Sequence, residues 1–338
     1  MIDYAVTRLA ALKSRFPGVD FLVRVVETRD AGSLLSLLSD TVFKEEAESF
    51  IAKSETKITL PIVLRAAHNG HIRLRRFFSR LVKQAFPEAF SLLLARWELE
   101  EVKAALRYLS SGGAAYERRF TFISYMLDAK PGHLWEADKT PAQFLASLEH
   151  KGHPLASFFD PELYSRDRVR AELEMERNFF NGFIPEKSML LKPSQTYFQD
   201  QLDLLNIHNA FLLRESPLEE GNSEQIFISG PGRITEAEFM RIAKGAPGQA
   251  ANIARKKIGI NLDPAFETSS IRFSRELKKA LLHGYRMKNL LEPSGIWAFL
   301  YFMEGMEAMV ADLKLAIYFG SAGAPPEQAL EQFCMARE

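Results

Sequence analysis

ELEEVKAAL (98–106), DLLNIHNAF (203–211) and MVADLKLAI (309–317) align without a gap at successive offsets of 105 and 106 residues. Each begins with an acid, replaced by Met309 in the third, and continues with an apolar residue. An acid or amide followed by an apolar residue comes next (Glu101-Val102, Asn206-Ile207, Asp312-Leu313). Each then closes on alanine and an apolar residue (Ala105-Leu106, Ala210-Phe211, Ala316-Ile317). At helical spacing, Leu99, Val102 and Leu106 make one stripe, as do Leu204, Ile207 and Phe211, and Val310, Leu313 and Ile317. The alanine beside each stripe leaves room for a close helix crossing.

Similar markers recur around these helices. SSGGAAY (110–116), SPLEEGNS (216–223) and GSAGAPPE (320–327) each follow a long helical pattern and are rich in Gly, Ser or Pro. PGHLWEADKTPAQFLASL (131–148) resembles PGRITEAEFMRIAK (231–244), and AELEMERNFFNGF (171–183) and RELKKALLHGYRM (275–287) fill similar later places. A period near 105 is too long for a short solenoid repeat, so each copy is expected to be a small helical subdomain. The expected divisions are 1–113, 114–221 and 222–338.

Helical signals dominate between the markers. Thr140-Pro141 with Gln143, and Thr235 with Glu238, are capping boxes that start helices. From Ile72 to Ala85, Leu74, Phe77, Phe78, Leu81 and Ala85 fall at helical spacing opposite Arg73, Arg76, Arg80 and Lys83. The only strand-like runs, FLVRVV (21–26) and IFIS (226–229), are short and isolated. The expected fold is all-α.

The 338 residues carry 43 Lys plus Arg and 43 Asp plus Glu, so no global field gathers nucleic acid or an acidic partner. Cys334, the single cysteine, excludes an internal disulfide and a multi-cysteine metal site and fits a reducing compartment. MIDYAVTRLAALKSRF lacks a secretory core, and Glu304 and Glu307 interrupt GIWAFLYFMEGMEAMV, which is too short to span a bilayer.

The polar residues of LDLLNIHNAFLLRE (202–215) raise the question of an active site. Asp200, Asp203 and His208 have metal-ligand chemistry, but Asp203 and His208 lie about 140° apart on a helix. HNGH (68–71) and HKGH (150–153) lack the further ligands of a zinc site and read as loop histidines. SGPGR (229–233) has no Walker-type Gly-Lys-Ser/Thr and reads as a turn before a helix. No catalytic residue, cofactor or metal ligand is nominated. Arg73, Arg76, Arg80 and Lys83 are the candidate partner-contact residues; a plain solvated face is the first reading of such a stripe, contact with a partner protein or anionic headgroups the second, and nucleic acid the last, because the aromatic residues lie on the buried side.

WELEEVKAALRYLSSGG, LDLLNIHNAFLLRE and EAMVADLKLAIYFGSAGAPPE, together with SLLSLLSDTVFKEEAESF near the start, resemble the C subunit of V-type and archaeal-type ATPases, the homologue of the eukaryotic d subunit. The resemblance runs from about residue 33 to residue 333. Departures are Met309 for an acid, Asp312 for asparagine, and Leu212 and Tyr318 where Arg107 stands in the first copy. The resemblance implies three similar helical subdomains in a pseudo-threefold, funnel-like arrangement. It also implies a non-catalytic rotor subunit, peripheral on the cytoplasmic side of the membrane, that joins the central shaft to the proteolipid ring and couples ATP hydrolysis or synthesis to proton or sodium transport. A soluble cytoplasmic helical-repeat scaffold is the alternative, and a metal-dependent helical enzyme is a third reading.

Overall fold

The computed structural model describes residues 2–53, 57–110, 124, 140–184, 192–215, 226–245, 248–293 and 295–334. Most of SSGGAAY, all of SPLEEGNS, the Pro131-Gly132 marker and the divisions at 113/114 and 221/222 lie outside the described residues.

The helices are, in chain order, α1 (Ile2–Lys13), α2 (Val19–Glu27), α3 (Ala31–Leu38), α4 (Lys44–Lys53), α5 (Leu60–Ala85), α6 (Phe90–Ser110), α7 (Pro141–His150), α8 (Pro161–Arg166) and α9 (Arg168–Asn178). They continue with α10 (Lys192–Glu215), α11 (Glu236–Lys244), α12 (Gln249–Ile253), α13 (Ser270–Leu291), α14 (Ile296–Ala322) and α15 (Pro326–Leu330). Among the described residues there is no strand, so the all-α expectation holds. FLVRVV belongs to α2, where Leu22, Val25 and Val26 are buried at i, i+3 and i+4. Residues 227–229 of IFIS have no regular secondary structure. Both capping boxes form as expected: Thr140 caps α7 with Gln143 reaching back, and Thr235 caps α11 with Glu238 reaching back.

The chain divides into two compact units, Met1–Ala85 with Ile271–Glu338, and Phe86–Ser270. In the first, α14 is the central element. It is apolar nearly all round, with buried residues from Ile296 to Gly320, as a helix enclosed by others must be. It packs on α2, α5 and α1, with Phe302 stacked on Phe78 at a 5.7 Å centroid distance and Phe16 tilted against Phe302 at 5.4 Å.

The α2–α14 crossing depends on one glycine. A β-carbon at Gly320 would stand 2.9 Å from the Val26 carbonyl oxygen and 3.0 Å from that of Val25, and backbone cannot swing aside as a side chain can. Gly320→Ala is therefore expected to destabilise the protein by about 1–3 kcal/mol through overpacking. Gly305, on the same helix, would place its β-carbon within 4 Å of nothing. Gly305→Ala is expected to gain up to about 1 kcal/mol from helix propensity. Urea midpoints of the two variants should move in opposite directions.

In the second unit, α10 packs closely against α11 and buries Leu202, Ile207, Ala210 and Phe211. Tyr197 and Phe198 of α10 join Phe179, Phe180 and Phe183 of the turn after α9 in a buried aromatic cluster.

Candidate partner-contact surface

The three aligned helices, α6, α10 and α14, share a burial register. Glu98, Asp203 and Met309 are buried, as are Val102, Ile207 and Leu313, then Ala105, Ala210 and Ala316, then Leu106, Phe211 and Ile317. The next residue, Arg107, Leu212 or Tyr318, is exposed in every copy. The acid and amide positions are mostly inside as well: Glu98, Asp203, Asn206 and Asp312 are buried and Glu101 is half-buried. Leu204 of the stripe is only half-buried.

Burial of these polar side chains is made tolerable by specific partners, because an unpaired buried charge or amide costs several kcal/mol. Asn206 pairs with Ile228 on both sides of its amide: Nδ2 donates to the carbonyl oxygen at 2.9 Å, and the Ile228 N–H donates to Oδ1 at 3.0 Å. Asn209 Nδ2 donates to the Ile226 carbonyl at 3.3 Å. Side-chain amides thus supply what a neighbouring strand would supply, which is why a β-like run can lie here without a sheet. Asp312, the Asn206 equivalent, accepts the Cys334 N–H at 2.8 Å. Both residues hold the backbone N–H that lies 22 residues downstream. The signal was present in sequence, since Phe122-Ile123-Ser124, Phe227-Ile228-Ser229 and Phe333-Cys334 recur at the same offsets of 105 and 106.

The metal-ligand candidates are occupied by the chain itself. Asp203 Oδ1 accepts the N–H groups of Arg233 and Ile234 at 2.8 and 3.0 Å, and Oδ2 accepts Arg233 Nε at 2.7 Å. Asp200 binds the same guanidinium, while His208 is half-buried on another part of α10. Of the SGPGR backbone donors that could have faced a phosphate, the Arg233 N–H is directed at this internal carboxylate. Gly232 permits the approach, since a β-carbon there would sit 2.9 Å from Asp203 Oδ1.

HNGH is not the loop expected, whereas HKGH does leave its helix for a turn after His150. His68 and His71 lie within α5, because Gly70 is not a helix breaker but a contact point: a β-carbon would fall 2.3 Å from Phe43 Cδ1. His71 Nε2 meets Glu307 Oε1 of α14 at 2.9 Å, and Arg75 grips the same carboxylate through Nε at 2.8 Å and Nη2 at 2.9 Å. His150 ends α7, whereas His153 is fully buried with Nε2 2.7 Å from Glu98 Oε1. Its Nδ1 accepts the Leu155 N–H at 3.2 Å, so the neutral ring donates from Nε2 to Glu98. In the same unit, Glu176 of α9 receives Arg96 at 2.6 Å and Lys103, and Glu172 receives Arg107 at 2.7 Å.

Of the candidate contact residues, Arg73 is already engaged. Its Nε lies 2.6 Å from Glu46 and 3.5 Å from Glu45, and it also binds the Val42 carbonyl. Arg76 is half-buried, and Arg80 and Lys83 are exposed, one to two turns further along α5. Sequence reading missed Arg65, which is exposed on the same helix, and Arg75, which points inward to Glu307. The doubled arginine at 75–76 conceals two roles because adjacent helical residues face about 100° apart.

The described residues define an all-helical protein in which Glu176, Asp203, Asn206 and Glu307 tie its elements to one another. The chain is a member of the ATP synthase (C/AC39) subunit family, whose model matches residues 5–331. Two proteins named as the C subunit of V-type ATP synthase, from two strains of Thermus thermophilus, are each 25% identical to it over 303 residues, covering 88% of this chain and 88% of the relative. As a member of that family it is a component of a multi-subunit complex. Among the described residues, no helix is long and apolar enough to cross a membrane.

Proposed function

We propose that the chain is the non-catalytic central-stalk subunit of a V/A-type ATPase, seated between the rotor shaft and the membrane proteolipid ring. It would be peripheral on the cytoplasmic face and carry rotation between ATP turnover and proton or sodium movement. The observation that carries this reading is the family match across residues 5–331. Two features of the chain support it. Buried ion pairs and amide clamps lock helices to one another, which suits a part that must transmit torque without yielding. Arg76, Arg80 and Lys83 give α5 a basic, accessible face that a partner can reach. We also infer three related subdomains, 1–113, 114–221 and 222–338, in a pseudo-threefold funnel, a reading supported by the shared burial register of α6, α10 and α14.

Reconstitution tests the proposal. Purified chain mixed with detergent-solubilised proteolipid ring and shaft subunits is expected to co-elute with both, and its omission is expected to leave ATP hydrolysis uncoupled from ion movement. A chain that remains unassociated with either partner would refute the rotor role and favour the soluble-scaffold alternative.

A further inference from the structure

Helix α5 contains six basic residues, Arg65, Arg73, Arg75, Arg76, Arg80 and Lys83, and no acid. Two of its arginines are matched inside their own unit, Arg73 by Glu46 of α4 and Arg75 by Glu307 of α14. Arg65, Arg76 and Arg80 make no ion pair among the described residues. At 100° per residue, these three and Lys83 fall within an arc of about 60°, and the stripe runs about 27 Å at 1.5 Å per residue. The opposite face, with Val63, Ala66, Ala67, Leu74, Phe78 and Val82, is buried.

We infer that this stripe docks an acidic helix of a partner protein. The inference rests on the partner-contact reading of α5 above and specifies its chemistry. Arginine presents a planar fork suited to carboxylates, and the same helix already uses that geometry twice, toward α4 and toward α14. The stripe is narrow and straight, matching a single helix laid along it. A flat anionic membrane fits worse for two reasons. The apolar face that would insert into lipid is already covered. The stripe is also bordered by Glu45, whose side chain is 74% exposed and which a broad anionic surface would have to approach. Four separated charges, three of them exposed and Arg76 half-buried, act mainly through steering and register, so the association should weaken as salt rises.

The test compares the full chain with two triple variants, Arg65→Glu/Arg76→Glu/Arg80→Glu and Arg65→Lys/Arg76→Lys/Arg80→Lys. Three probes are used: a synthetic helical peptide with glutamates along one face, phosphatidylserine/phosphatidylcholine vesicles, and the shaft and ring subunits. The expected result is salt-sensitive peptide binding, at least tenfold weaker in the glutamate variant and intermediate in the lysine variant, with no comparable vesicle binding. If the glutamate variant unfolds, the exposed pair Arg65→Gln/Arg80→Gln reads the same effect. Unchanged peptide affinity in a folded variant, or no wild-type peptide binding, overturns the inference, as does arginine-dependent vesicle binding in its place. Failure of wild type to join shaft and ring refutes the rotor role separately, with the peptide still deciding the stripe.

Discussion

Replacing Glu307 with glutamine is expected to cost about 3–5 kcal/mol of stability, because it leaves the Arg75 guanidinium inside the protein without its counter-charge. The Arg75 side chain is 12% exposed and that of His71 10%, so water cannot readily take over the lost bonds. Glutamine retains the shape but offers one acceptor oxygen where the carboxylate offers two, and its amide nitrogen is a donor facing donors. The double variant Arg75→Met/Glu307→Met should recover much of the loss, since the removal of one charge, more than the absence of the pair, is what damages the fold. Chemical denaturation of the two variants and wild type decides between these effects.

The same cluster sets an expected pH dependence. Burial alone would raise the Glu307 carboxyl, but His71 and Arg75 outweigh it and hold the group well below its ordinary value of 4.5. Burial lowers His71 below its ordinary 6.5, against the pull of Glu307. Lys314 and Arg75 also oppose a positive charge on His71. The unfolded chain takes up the histidine proton first on acidification, so stability falls as pH drops below about 6.5. Glu307 adds a second loss as pH falls below about 4.5, because its stabilising charge is fully present only above the unfolded value. Glu307→Gln removes the second phase, and its stability curve should flatten in acid relative to wild type.

The division between what could and could not be read from sequence follows the range of the interactions. The caps at Thr140 and Thr235 act over three residues, and the apolar stripes of α6, α10 and α14 over a few turns; both were legible. FLVRVV is ambiguous by composition because β-branched residues favour strands, yet Leu22, Val25 and Val26 already stand at helical spacing. The contact surface was partly legible: Arg76, Arg80 and Lys83 are on the accessible face of α5. Arg73 was not separable from them, since its partner Glu46 is 27 residues away in sequence, and the inward role of Arg75 was hidden because Glu307 is 232 residues away. His68 and His71 were read as loop residues for the same reason, with Gly70 standing between them. Its role is to admit Phe43, and nothing within HNGH reveals that neighbour.

Asp203→Ala is expected to have a comparably large effect in the other unit, about 3–5 kcal/mol, and to loosen a defined segment. The carboxylate has no exposed side-chain surface and joins α10 to the entry of α11 through two backbone N–H groups and the Arg233 guanidinium. Alanine orphans all three donors, with Asp200 alone left to hold Arg233. Asp203→Asn separates charge from shape: its oxygen can still accept the Arg233 and Ile234 N–H groups, but its amide nitrogen faces Arg233 Nε, donor against donor. Its cost should therefore lie between wild type and alanine. Asn206 still pairs with Ile228 in both variants, so opening should be greatest at 230–235 and smaller at 226–228. Amide hydrogen exchange across 226–245 reads this directly, with Arg233 and Ile234 losing protection before Ile228. Loss of protection spread evenly over the segment would mean that Asp203 and Asn206 act as one cooperative clamp and not as two separate ones.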